Sequence, residues 1–123
     1  MNLDFVRFCT DADLVSRIGT WSIGAADHGH GTHVSENIEC HSVRLAETEP
    51  GGEYDWHPAP RRQLVVTLDG EVEFEFGNGE RLTVRPGDVF LAEDLEGRGH
   101  RWRIVSDEPW RRLYVHLELP PKT

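Results

Sequence analysis

A chain of 123 residues is the ordinary size of one domain and short for two independent cores. Its formal net charge of −9, with arginines scattered through the second half and never gathered in a block, argues against nucleic acid or an anionic membrane surface as a partner. Only Cys9 and Cys40 are available, no apolar run approaches the ~18 residues of a spanning helix, and no basic stretch leads into an apolar one at the start, so a reduced, cytoplasmic protein is expected.

Residues 1–31 carry little periodicity and read as an N-terminal arm, with Phe5 to Phe8 a short strand and Asp11 to Thr20 a helical turn. Such an arm packs along its own barrel or crosses to a partner, and the pattern does not choose. His28, His30 and His33 sit among Gly29, Gly31 and Thr32. Three imidazoles so close suit a metal, but glycines fix ligand geometry poorly, and a solvated loop is the stronger reading.

From His33 to Thr48 the chain reads as one or two strands, Ile38 on the first and Val43 and Leu45 on the second. Pro50-Gly51-Gly52 ends that run with turn chemistry. Gln63 to Leu68 is the next strand, Asp69-Gly70 a hairpin signal, and Glu71 to Phe76 a strand whose Val72, Phe74 and Phe76 face inward between glutamates. Short strands follow at Arg81 to Val84, Val89 to Ala92, Trp102 to Val105 and Arg111 to Leu117, and Pro120-Pro121 closes the series. Many short strands, polar turns and almost no amphipathic helix predict an all-β domain over the whole chain, an antiparallel jelly-roll barrel spanning 33–118.

Gly51, His57, Ala59, Gln63 and Gly70 stand at the spacing Gly-x5-His-x-Ala-x3-Gln-x6-Gly. Downstream come Gly79, Pro86-Gly87-Asp88 and Glu93-Asp94-Leu95-Glu96-Gly97-Arg98-Gly99-His100. Two stretches in this order resemble the two motifs of the cupins, in particular small single-domain members with Pro-Arg-Arg-Gln and Glu-Asp-x-x-Gly-x-Gly-His, most without an assigned function. The resemblance covers about half the chain. It implies a double-stranded β-helix whose interior holds a divalent metal on His, His, Glu and a later His. Here the second and third ligand positions are Ala59 and Gln63, and Ile104 stands where the second motif has Asn.

Alternation along one strand would place 57, 59, 61, 63, 65 and 67 on one face, so that His57, Gln63 and His100 converge. With two imidazoles and one amide, a divalent ion would be held weakly and would be Ni, Zn, Fe or Cu rather than Mn or Mg. Glu93 or Asp94 would supply the missing negative charge if the long turn before His100 folds inward. Arg61 shares the parity of His57 and offers a paired hydrogen bond to an anion; Trp102 shares the parity of His100, and Tyr114 and His116 reach the same cavity from the last strand. Trp56 is a second candidate to cap it. The expected ligand is a small polar or anionic molecule bound near His57, Arg61, Gln63, His100, Trp102 and Tyr114. A metal-dependent lyase, isomerase or oxygenase and a non-catalytic sensor are the rival readings, and a homodimer is the expected assembly.

Overall fold

Wherever β-branched and aromatic residues alternate with charged ones, the chain does extend, because the pleat sends one set to the core and the other to water. The computed structural model describes residues 1–117. These hold eleven strands and no helix: β1 (Asn2–Thr10), β2 (Ser16–Asp27), β3 (His33–Ser35), β4 (Ser42–Thr48), β5 (Glu53–His57), β6 (Gln63–Asp69), β7 (Val72–Phe76), β8 (Arg81–Val84), β9 (Val89–Ala92), β10 (His100–Ile104) and β11 (Trp110–His116). A seven-stranded sheet in the order β3-β2-β1-β9-β6-β11-β4 faces a four-stranded sheet in the order β5-β10-β7-β8. The all-β jelly roll expected from the strand pattern is therefore present. One pairing departs from the expected antiparallel rule: β1 runs parallel to β9, Val6 opposite Phe90.

That parallel pairing absorbs the N-terminal arm. β1 and β2 form a long antiparallel hairpin, and Phe8 enters the core between the sheets, stacked on Phe90 at 4.2 Å and edge-on to Phe74 and Phe76 at 5.0 and 4.6 Å. The helical turn expected over Asp11 to Thr20 is instead a tight turn followed by strand. Asp11 accepts from the amides of Leu14 and Val15, which closes the turn, and Ser16 already belongs to β2. Ile38 lies in no strand.

Asp69-Gly70 does not form a hairpin within one sheet. It carries the chain from β6 in the large sheet to β7 in the small one. Gly70 takes φ +79°, and a Cβ there would lie 2.4 Å from the carbonyl oxygen of Pro109, so the crossing is built on close backbone approach. Pro120-Pro121, expected to close the strand series, lies outside the described residues.

Candidate functional site

β5 and β10 of the small sheet and β6 and β11 of the large one enclose a cavity of about 400 Å³. This is within the size range of small-molecule sites. His57, Arg61, Gln63, His100, Trp102, Tyr114 and His116 all line it, and so do Arg44 and Arg112, which the sequence reading had not singled out.

The convergence of His57 and Gln63 does not arise as expected. Pro58 and Pro60 lack the N–H that a ladder needs, so the strand breaks between them, and the chain leaves β5 in one sheet to enter β6 in the other. The two side chains approach the cavity from opposite walls. His57 stands beside His100, their ring centroids 4.8 Å apart, because the two residues are register partners at the β5–β10 junction. Its Nδ1 donates to the carbonyl of Asp55 at 2.7 Å, which leaves Nε2 to the cavity.

His100 is oriented from behind. The long turn before it does fold inward, but Asp94 goes past the cavity and is 0 % exposed. Its Oδ2 lies 2.5 Å from Nδ1 of His100 and accepts from the Ser16 hydroxyl at 2.8 Å. Asp94 therefore positions an imidazole rather than lining the site. Glu93, the other candidate, turns away to pair with Arg7 and with Arg62 at 2.6 Å, and these guanidiniums hold its carboxyl below the usual carboxylate range against the opposing effect of burial.

On the large-sheet wall, Nδ1 of His116 accepts from Ser42 at 2.9 Å and from Nη1 of Arg61 at 3.3 Å. Arg112 is only 6 % exposed, with its guanidinium 3.9 Å from the Trp110 ring centroid. Among the described residues three guanidiniums and three imidazoles thus line the cavity, and no carboxylate does. In a chain of net charge −9 this is a local inversion of sign, and it favours anionic ligands.

The same inversion bears on the metal expected at His57, Gln63 and His100. The side chains at those positions line one cavity, but they offer two imidazole nitrogens and a neutral amide, Ala59 adds no donor, and the surrounding arginines repel a 2+ ion. Among the described residues no group of three or more His, Cys, Asp or Glu is arranged to hold a metal. The residues do not fit a firmly bound divalent ion. His28, His30 and His33 are no exception: His28 and His30 lie in an exposed turn, where the backbone of Gly29, His30 and Gly31 takes positive φ, and His33 begins β3.

Trp56 does not cap the cavity. It points outward under the guanidiniums of Arg98 and Arg101, at 4.0 and 4.9 Å. Arg101 and Arg103 pair with Glu75 and Glu73 on the exterior of the small sheet, as the many surface acids suggest. The signal that could have found Arg112 was its parity: it alternates with Trp110, Tyr114 and His116 on the inward face of β11.

Burial holds the His57 imidazole below its ordinary value of 6.5, with neighbouring His100 adding to the effect and the Asp55 carbonyl and Asp94 opposing it. Burial likewise lowers His116, reinforced by Arg61, Arg44 and His41. Both groups then bind protons more readily in the unfolded chain, so stability is fully present above pH 6.5 and falls as pH drops through the lowered native values. Thermal melts across this window should show that fall, and His57→Gln and His116→Gln should each flatten it. An unchanged slope in both variants would assign the dependence to other groups.

The family profile described as "Cupin domain" matches residues 44–116. Over 80 residues, or 64% of this chain and 39% of the relative, the sequence is 39% identical to the cupin-domain-containing oxidoreductase srdB of Neurospora crassa. An oryzines biosynthesis cluster protein J of Aspergillus oryzae is 34% identical over 64% of the chain and 43% of its own length. The chain thus spans about two fifths of the curated relatives it matches. Among solved structures, the polyketide cyclase RemF of Streptomyces resistomycificus superposes with a TM-score of 0.53 at 20% identity, over 68% of this chain and 58% of that one. At this identity the likeness speaks for the fold alone.

Proposed function

The chain belongs to the cupin family, and from that premise we propose that it binds a small polar or anionic molecule inside its barrel, against His57, Gln63 and His100. The observation that carries this reading is the cavity itself: residues from both sheets send aromatic walls and unpaired polar tips to one space of about 400 Å³. Trp102, Trp110 and Tyr114 supply apolar area, while Nε2 of His57, Nε2 of His100 and the Gln63 amide supply directed contacts. Both imidazoles have their other nitrogen engaged, so their orientation is set before a ligand arrives.

The metal-dependent lyase, isomerase and oxygenase readings lack a matching donor set. A ligand sensor and a metal-independent enzyme share the site and differ in whether the bound molecule is changed. Thermal-shift screening against small carboxylates, phosphates and neutral polar metabolites should find compounds that raise the melting temperature, since saturation at about 100 times Kd is worth about 2.7 kcal/mol. His57→Ala should abolish the shift. A shift that survives His57→Ala and His100→Ala alike would place binding elsewhere; mass analysis of the bound compound separates sensor from enzyme.

The homodimer belongs to the same proposal. With Arg112, Tyr114 and His116 turned inward, Leu113 and Val115 face outward, register partners of Leu45 and Val43 on one side and of Val66 and Leu64 on the other. Val43 and Leu45 are 59% and 71% exposed on the edge strand. A two-fold contact would bury this aliphatic face against its own copy, and the rim carries both signs, Arg111 beside Glu47 at 2.6 Å, so that like charges need not meet. Light scattering should give twice the chain mass, and Leu45→Glu should give the monomer. A wild-type monomer at high concentration would reject the interface.

A further inference from the structure

Among the described residues Arg112 is a buried cation without an anion. Its Nε donates to the Tyr114 hydroxyl at 3.0 Å, and its Nη1 to the Thr48 hydroxyl at 2.7 Å and the Trp110 carbonyl at 3.0 Å. All three acceptors are neutral. Among the described residues no carboxylate pairs with Arg112, although acidic residues outnumber basic ones 22 to 13 in the chain, and Nη2 has no acceptor. Other arginines that find carboxylates, Arg7, Arg62, Arg101 and Arg111 among them, do so outside the cavity.

Taking a guanidinium out of water without a counter-charge is costly, and buried charges are normally paired. The face of Trp110 at 3.9 Å, with Tyr114 and Trp102 at 5.5 and 5.7 Å, offsets part of that cost and clamps the guanidinium plane. The remaining donors are thereby aimed at the cavity. With Nε and both Nη1 hydrogens engaged, Nη2 is the amino group left to donate, and a single carboxylate oxygen placed on it supplies both the acceptor and the missing counter-charge. A phosphate carries more charge and calls for several donors around a tetrahedron; of the other two cavity arginines Arg61 is already turned to His116, which leaves Arg44 alone to join Arg112.

We propose that Arg112 anchors a carboxylate, so that the ligand of this cavity is a small carboxylic acid whose body lies along Trp102 and Trp110 toward His57 and His100. This rests on the reading of the cavity as the binding site. The register of β11 also gives Arg112 its neighbours: it lies opposite Ala46 on β4 and Thr67 on β6, so no acidic side chain meets it directly across either strand.

Benzoate and benzamide make a matched pair of probes, equal in shape and different in charge, with phenyl phosphate as the tetrahedral comparison. Intrinsic fluorescence reports directly, because Trp110 carries the guanidinium. Benzoate should quench saturably and bind at least tenfold, about 1.4 kcal/mol, more tightly than benzamide. Arg112→Met should remove that preference while leaving the weak benzamide binding in place. The wild-type comparison decides even where the variant fails to fold. Equal affinity for the two probes, tighter binding of phenyl phosphate, or no saturable binding of any carboxylate overturns the assignment. Benzoate binding that is indifferent to His57→Ala and to Trp102→Ala would instead overturn the cavity as the site.

Discussion

Gly99→Ala should cost about 3–5 kcal/mol of stability, and Gly79→Ala about 1 kcal/mol, although each replaces a glycine at positive φ by the smallest side chain. Gly99 has φ +79° and Gly79 φ +91°, so both variants suffer the backbone strain of a left-handed residue. They differ in what the new methyl meets. At Gly79 nothing lies within 4 Å, whereas at Gly99 the Cβ would stand 1.9 Å from the carbonyl oxygen of His57 and 2.4 Å from the nitrogen of Pro58. These are backbone atoms and cannot rotate away. The clash must push the end of β5 from the start of β10, where His57 and His100 are register partners. Urea denaturation of both variants separates strain from clash. Ligand affinity should fall in Gly99→Ala and not in Gly79→Ala, because only the former moves the two imidazoles. A loss in Gly99→Ala no larger than in Gly79→Ala would show that this approach does not hold the site together.

Why the close approach was hidden in the sequence is plain from the neighbours involved. Gly99 and His57 are 42 positions apart, and a glycine read alone signals only permissive backbone. Period two, by contrast, is local: Val72, Phe74 and Phe76 declare their inward face within five residues, and β6 to β9 follow from the same kind of signal. Asp69-Gly70 shows the limit of turn chemistry. Such a pair fixes a reversal but does not say which sheet receives the next strand, and here the chain changes sheets. The first thirty residues were opaque because β2 is long and half-exposed, with glycines, serines and alanines in place of an apolar alternation. Its membership in the sheet is decided by the pairing of β1 with β9, which lies some eighty residues downstream.

The site was legible in membership and obscure in construction. His57, Gln63 and His100 line one cavity, yet from three strands in two sheets and not along one face, because Pro58 and Pro60 interrupt the ladder. Arg112 was missed for an electrostatic reason. In an acidic chain an arginine is presumed to find a surface carboxylate, and Arg111, one position earlier, does so with Glu47. Only the alternation of β11 sends Arg112 the other way, among Trp110, Tyr114 and Thr48, where no acid of the described residues meets it. Parity along β11 could have turned Arg112 inward on paper, but that Ala46 and Thr67 stand opposite it is a property of register, which no local pattern reports.

The second large effect is expected at Asp94, where the sequence pointed to the right residue and the wrong partner. Asp94→Ala removes the acceptor shared by Ser16 and His100, and hydrogen bonds to a charged group are worth roughly 1.5–3 kcal/mol each, so a loss of about 3–4 kcal/mol is expected. Ser16→Ala should cost about 1 kcal/mol, since it deletes one bond and leaves the other. Asp94→Asn keeps the shape and one accepting oxygen, and should fall between the two. The functional consequence is separable from the structural one. Without the carboxylate at Nδ1 the His100 ring loses the contact that turns Nε2 to the cavity, so ligand affinity should drop in Asp94→Asn even where most of the stability remains. A double-mutant cycle with His100→Ala isolates the contact: a coupling of about 1–3 kcal/mol is expected from a direct buried bond. Additive losses would mean that Asp94 stabilises the turn between β9 and β10 through Ser16 alone, and that His100 owes its orientation to Phe8 and Phe74, whose rings lie 5.3 and 5.6 Å from it.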